Sequence, residues 1–296
     1  MLRIYLYIIF KIISMNKLFS FLLLITLITG LLWGCEKKKD NPPALPPVGT
    51  MSIDFSNFIP PIKSAITVGE TKGITVVDKS NWTLASTIAG VWHIILAVNL
   101  VVPVASFEVA VNKTPVYLDN KKWEWSYNFN VIGATYKARL TGQIRTTDIK
   151  WEMYISREGI GAFTELLWYE GTSNLDDKSG QWVLNHSQVF PEPMLQIDWK
   201  VEGSAIGNIK YTYIRDKKDD RSSDPFKNSF IEYGLTTNTL NAFYNVHQNT
   251  GAPNVFNDVL IEWSTTGYNG HIKAHYYFQD DVWHCWNATG DNVTCN

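Results

Sequence analysis

From residue 123 onward, apolar and polar side chains take turns along the chain. In "WEWSYNFNV", Trp123, Trp125, Tyr127, Phe129 and Val131 fall on one side, with Glu124, Ser126, Asn128 and Asn130 on the other. A period of two is that of an extended strand, whose successive side chains point to opposite faces. "DIKWEMYI", "LQIDWKVE" and "HIKAHYYF" repeat the pattern, and similar runs lie between them: "ATYKARLTGQI", "AFTELLWYEG", "GQWVLNHSQV", "NIKYTYIRD", "SFIEYGL", "LNAFYNVHQ" and "DVLIEWSTT". Turn-rich stretches such as "TSNLDDKSG" and "RDKKDDRSSDP" separate them. The expectation is a mainly β fold. It is an antiparallel meander forming a barrel or an unclosed half-barrel of about eleven strands.

Upstream the period is helical. In "SNWTLASTIAGVWHIILAVNL", Leu84, Ile88, Trp92, Ile95 and Leu96 recur at helical spacing, and Ser80 or Asn81 is placed to cap the start. Pro103 suits the first turn of a second, short helix carrying Phe107 and Val111 on one face. The segment 80–111 therefore reads as one or two N-terminal helices packed in or against the sheet. Ile88–Ala105 is long enough to span a bilayer, but His93, Asn99 and Pro103 interrupt it. A helix apolar nearly all round is here read as one buried in a soluble core.

The first residues concern address. "MNKLFSFLLLITLITGLLWGC", from Met15, has a basic start at Lys17, an apolar run and Gly34 just before Cys35. That is the layout of a secretory signal. Its ending, "LLWGC", resembles the lipobox of bacterial lipoproteins, although Trp33 stands where that family carries a small or aliphatic residue. The resemblance implies cleavage before Cys35 and lipidation of Cys35. Residues 1–34 are then a signal peptide, with Met15 a candidate true start. The continuous apolar run also fits a plain membrane anchor. The next stretch, "EKKKDNPPALPPVGT", is charged and then proline-rich, so 35–50 reads as an extended tether unable to pack. A charged segment after the cysteine resembles the surface-export signal of Bacteroidetes-type lipoproteins. The expected location is the cell envelope, lipid-anchored to the outer membrane, on its periplasmic or its surface side. Residues 51–296 form the expected single β-rich domain.

Removing residues 1–34 leaves 262 residues and takes away Arg3, Lys11 and Lys17, so 23 basic residues face 28 acidic ones. That net −5 argues against nucleic acid as a partner. With Cys35 lipidated, Cys285 and Cys295 remain as a pair in an oxidising compartment, and we expect a disulfide closing "CWNATGDNVTC".

No phosphate-cradling loop, nucleophile elbow, zinc helix or Cys-x-x-Cys appears, and no cofactor is implied. His271, His275 and His284, with Glu262 or Asp280, are candidate metal ligands by residue type. Lys273 on the same face points instead to solvent, so no metal site is assigned. Glu165 and His186 fall on apolar strand faces, where a polar group needs a partner. Meeting in a cavity, they would form the acid–base pair of a cofactor-independent enzyme. Nine of the twelve tryptophans lie in the strand region. Core filling is their default role. Trp125, Trp151, Trp182 and Trp199 are the candidates for stacking on a ligand, and Trp168 or Trp286 for exposed binding. The leading expectation is a non-catalytic envelope protein, structural or binding an apolar or glycan ligand. The enzyme and an outer-membrane β-barrel are the alternatives.

Overall fold

Each of the eleven alternating runs contains a strand, and three short strands extend the series at its ends. The computed structural model describes residues 41–53, 55, 56, 58, 79–203, 205–249, 252 and 254–295. The strands are β1 (Val116–Tyr117), β2 (Lys122–Val131), β3 (Ala134–Ile144), β4 (Asp148–Arg157), β5 (Phe163–Asn174), β6 (Ser179–Asn185) and β7 (Pro193–Glu202), followed by β8 (Ala205–Tyr213), β9 (Phe230–Leu235), β10 (Ala242–Asn249), β11 (Phe256–Trp263), β12 (Gly270–Lys273), β13 (His284–Trp286) and β14 (Asn292–Val293). Every strand pairs antiparallel with its sequence neighbour, so a single sheet runs in the order β1 to β14. Among the described residues β1 and β14 are not joined, and the sheet is unclosed. The expected eleven strands become fourteen because β1, β13 and β14 are two or three residues long, too short for a periodicity to register.

"HIKAHYYF" is a strand only to Lys273. The next residues turn into a short helix, α2 (His275–Phe278), closed by Gln279 at φ 61°. The alternation of Tyr276 and Phe278 with His275 and Tyr277 is therefore not a strand pattern.

The long helix α1 runs from Ser80 to Ala110 with Pro103 inside it. Of the one or two helices expected over 80–111, the structure has one, unbroken at Pro103. Proline costs the helix a donor and about 3 kcal/mol in an isolated interior. Here Pro103 is itself buried, and the residues on either side of it pack on the same core. Nor does Ser80 or Asn81 cap the start through its own side chain. Asn292 of β14 does so from across the fold: its Oδ1 accepts from the Asn81 amide at 3.1 Å, and its Nδ2 donates to Ser80 Oγ. Asn81 Nδ2 donates to the Cys285 carbonyl, and Lys79 reaches Thr289 and Asp291. The expected disulfide, Cys285–Cys295, closes the loop that makes these contacts, with Cα atoms 5.3 Å apart.

One face of the sheet and one stripe of α1 make the core. From the sheet come Trp123, Trp125, Trp151, Trp182, Trp199 and Trp263, all buried, with Ile, Leu and Met between them. From the helix come Ala85, Ile88, Trp92, Leu96, Leu100, Pro103 and Phe107, spaced three and four apart. Ile95 and Val111, expected on that face, are exposed. The other face of the sheet carries paired charges, among them Lys122–Glu152, Lys150–Glu152 and Arg139–Glu124.

Residues 42–50, expected to be unpacked tether, are part of the compact unit Pro42–Asn296. Pro43 and Pro46 are buried, a 3-10 turn spans Val48–Met51, and Thr50 Oγ1 accepts from the buried Trp182 indole at 3.1 Å. Proline's fixed φ suits an extended strip, and its ring is apolar enough to be covered. The expected signal segment 1–34, Cys35 and the start of the tether lie outside the described residues, as does most of 52–78.

Candidate functional site

Glu165 and His186 are not brought together. Glu165 sits at φ 50° in a stretch of β5 where the register to β4 shifts twice. That bulge cancels the strict alternation on which its inward placement rested. Its carboxylate is half-exposed and is engaged by Arg139, whose Nε donates at 3.0 Å. His186 lies just past the end of β6, where the register shifts again. Its Nε2 is 3.2 Å from Asp219, its Nδ1 3.3 Å from Met194 Sδ, and its ring stacks on Phe190. Arg215 bonds the same Asp219 and holds that carboxyl below its ordinary range. The pair belongs to two separate surface ion networks.

The four tryptophans proposed for stacking are covered. Trp125, Trp151, Trp182 and Trp199 lie in the core, and Trp286 is buried with its indole donating to the Tyr268 carbonyl. Trp168 is half-buried against Phe163. Core filling is their role here. His271, His275 and His284 each take a different carboxylate: Glu262 at 2.8 Å, Asp281 at 3.1 Å and Asp280 at 3.0 Å. Among the described residues no group of three His, Cys, Asp or Glu side chains is placed to hold a metal ion.

The opening beside the core lies along α1. A groove of about 390 Å³ is bounded by Met51, Ile53 and Phe55 on one side and by Leu96, Leu100, Val101 and Val104 on the other. His93 and Glu108 are its charged or ionisable lining groups. The His93 ring stands 5.4 Å from that of Phe55. Next to this wall the outer stripe of α1 is also apolar, with Val91, Ile94 and Val98 exposed by 52, 64 and 71 %. One buried stripe needs no such surplus, and hydrophobicity all round the helix was the sequence signal for it. Among the described residues α1 alone is long and apolar enough to cross a membrane by length and composition, but its inner stripe is part of the core.

Under the C-terminal half of the helix lies a buried polar knot that the sequence did not announce. Tyr127 Oη donates to the Ser106 carbonyl at 2.6 Å, and Ser106 Oγ lies 3.4 Å from Tyr169 Oη and bonds the Pro103 carbonyl at 2.7 Å. Burial pushes both phenols well above their ordinary range. They are neutral hydrogen-bonding struts between the sheet and Ser106 of α1.

Comparison of the chain with protein-family models, with curated proteins and with solved structures returns no match. The chemistry of the groove is therefore the guide to function.

Proposed function

We propose that this chain is a lipid-anchored protein of the cell envelope, without catalytic activity, that accommodates an acyl chain along α1. The observation that carries the reading is the groove between Met51–Phe55 and α1, whose lining is almost wholly aliphatic or aromatic. Its volume falls within the range of about 300–1,000 Å³ typical of small-ligand sites. Two further features support it. The lipobox-like ending at Cys35 supplies a membrane address, on either the periplasmic or the surface side. The packed unit begins at Pro42, seven residues later. At about 3.3–3.6 Å per residue, seven residues reach roughly 25 Å, which keeps the groove's protein close to lipid. The sheet's inner face is occupied by tryptophans and the helix, which leaves a glycan no room there and favours a curved, helix-filled half-barrel. The paired charges on the outer face speak against the outer-membrane barrel, whose exterior faces hydrocarbon.

The test is fluorescence titration of the soluble domain from Pro42 onward with cis-parinaric acid, followed by displacement with palmitate. Saturable enhancement reversed by palmitate is expected, and Val101→Glu weakens it at least tenfold while thermal unfolding stays cooperative. No enhancement, or equal binding by Val101→Glu, removes the acyl-chain reading.

A further inference from the structure

A second concavity, of about 540 Å³, opens at the junction of β11, β12 and α2 and shares no lining residue with the groove. Phe256 and Tyr276 supply two aromatic rings of its lining, and Asn257, Asp258, Lys273, His275, Gln279 and Asp281 supply polar groups. We propose that this cleft is a binding site for a neutral oligosaccharide.

Polar side chains of the cleft already have partners within the fold. Asp258 Oδ1 is 2.6 Å from His247 Nδ1. The His247 ring is itself clamped between Phe256 and Phe230, with centroids at 4.3 and 5.3 Å and planes within 9° and 20° of parallel. Asp281 Oδ1 is 3.1 Å from His275 Nδ1. The helical turn carrying Tyr276 is tied to β10, because Gln248 Nε2 donates to Tyr277 Oη at 3.1 Å. It is closed by Gln279, whose Nε2 donates to the Tyr276 carbonyl at 2.7 Å. Side chains that already have partners have less freedom to lose on binding, which favours affinity.

The ligand class follows from the lining. Tyr276 is 57 % exposed, and a flat ring of that kind covers the C–H face of a sugar. Each carboxylate engages its histidine through Oδ1, and its Oδ2 is an acceptor for hydroxyl hydrogens. Asn257 and Gln279 supply amides that both donate and accept. Its two carboxylates, Asp258 and Asp281, outnumber its one lysine, Lys273. That disfavours uronates, sialic acids and phosphates, since burying like charges together is costly. An apolar chain would strand the acids and amides without partners.

Calorimetric titration with cellotetraose and with chitotetraose tests the site. At least one of the two is expected to bind, with Tyr276→Ala and Asp281→Asn each weakening it about tenfold. Both positions are exposed, so circular dichroism and thermal unfolding should match the parent. Val101→Glu in the groove should leave sugar binding unchanged, which separates this site from the acyl-chain one. Absence of binding by both sugars, or undiminished binding by both cleft variants, overturns the proposal.

Discussion

A tryptophan ring needs a floor, and in this sheet the floor is repeatedly a glycine on the next strand. Gly142 lies directly opposite Trp151, Gly171 opposite Trp182, Gly180 opposite Trp199 and Gly270 opposite Trp286. In each pair a Cβ on the glycine would run into the indole. The large ring covers the bare backbone, and the missing side chain makes space for the ring. At Gly171 the clash also involves the Gln181 carbonyl, which is backbone and cannot swing aside. Gly171→Ala should therefore cost about 1–3 kcal/mol, the range for forcing one extra carbon into a packed interior. Gly90, in α1 with nothing within 4 Å of its would-be Cβ, is the control. There alanine should stabilise by about 0.5–1 kcal/mol through helix propensity. Urea denaturation of the two variants decides the matter, and equal effects at both positions would discard the ring-on-glycine explanation.

At the scale of elements, strands β2 to β12 were legible because a half-buried strand writes its burial directly into a period of two. Helix α1 was legible for the same reason at a period near 3.6, and its expected bounds, 80–111, lie within a residue of Ser80–Ala110; what caps its start was not legible. The cap depends on partners far along the chain: Asn292 caps Asn81, and Cys285 accepts from its side chain. The turn at His275–Phe278 alternates like a strand by coincidence of composition. The helix start and the disulfide loop thus form a single staple. Removing the disulfide with paired Cys285→Ser and Cys295→Ser should cost about 2–4 kcal/mol, as for other loops of this size. Asn292→Ala should cost about 1 kcal/mol, like the loss of an ordinary cap. In the disulfide-free chain the cost of Asn292→Ala should shrink, since the loop no longer holds the cap in place. Hydrogen exchange should quicken at the amides of residues 81–83 and stay unchanged near Phe107. Strict additivity with unaltered exchange at the helix start would show that the two features act independently.

For the molecule as a whole, the two faces of the sheet have opposite chemistry, and that contrast both concealed the site and sets the pH response. Sequence spacing placed Glu165 and His186 indoors, but bulges and strand ends, which a period cannot reveal, put each beside its own surface ions. The groove and the cleft escaped notice because they are made by segments distant in sequence, Met51–Phe55 against α1 and Phe256–Asp258 against Tyr276. Beneath the sheet, Tyr127, Tyr169 and Tyr211 are buried phenols whose titration burial pushes well upward, and partial burial with a bond to Asp224 takes Tyr213 up to about 12. In the unfolded chain all four would ionise near about 10. Above that pH the unfolded state sheds protons that the folded state keeps, so stability declines as pH rises, by about 1.4 kcal/mol per pH unit for each proton retained. Urea denaturation between pH 7 and 11.5 should trace a plateau followed by a fall that begins near about pH 10. Tyr211 separates this from general alkaline damage, because its hydroxyl is buried with no hydrogen-bond partner among the described residues. Tyr211→Phe removes a desolvated group that gains nothing in return, so it should raise stability at pH 7 by about 1 kcal/mol and make the alkaline fall shallower by one proton. A variant less stable than the parent at neutral pH, or one whose alkaline slope is unchanged, would mean that this hydroxyl has a partner and that the decline has another source.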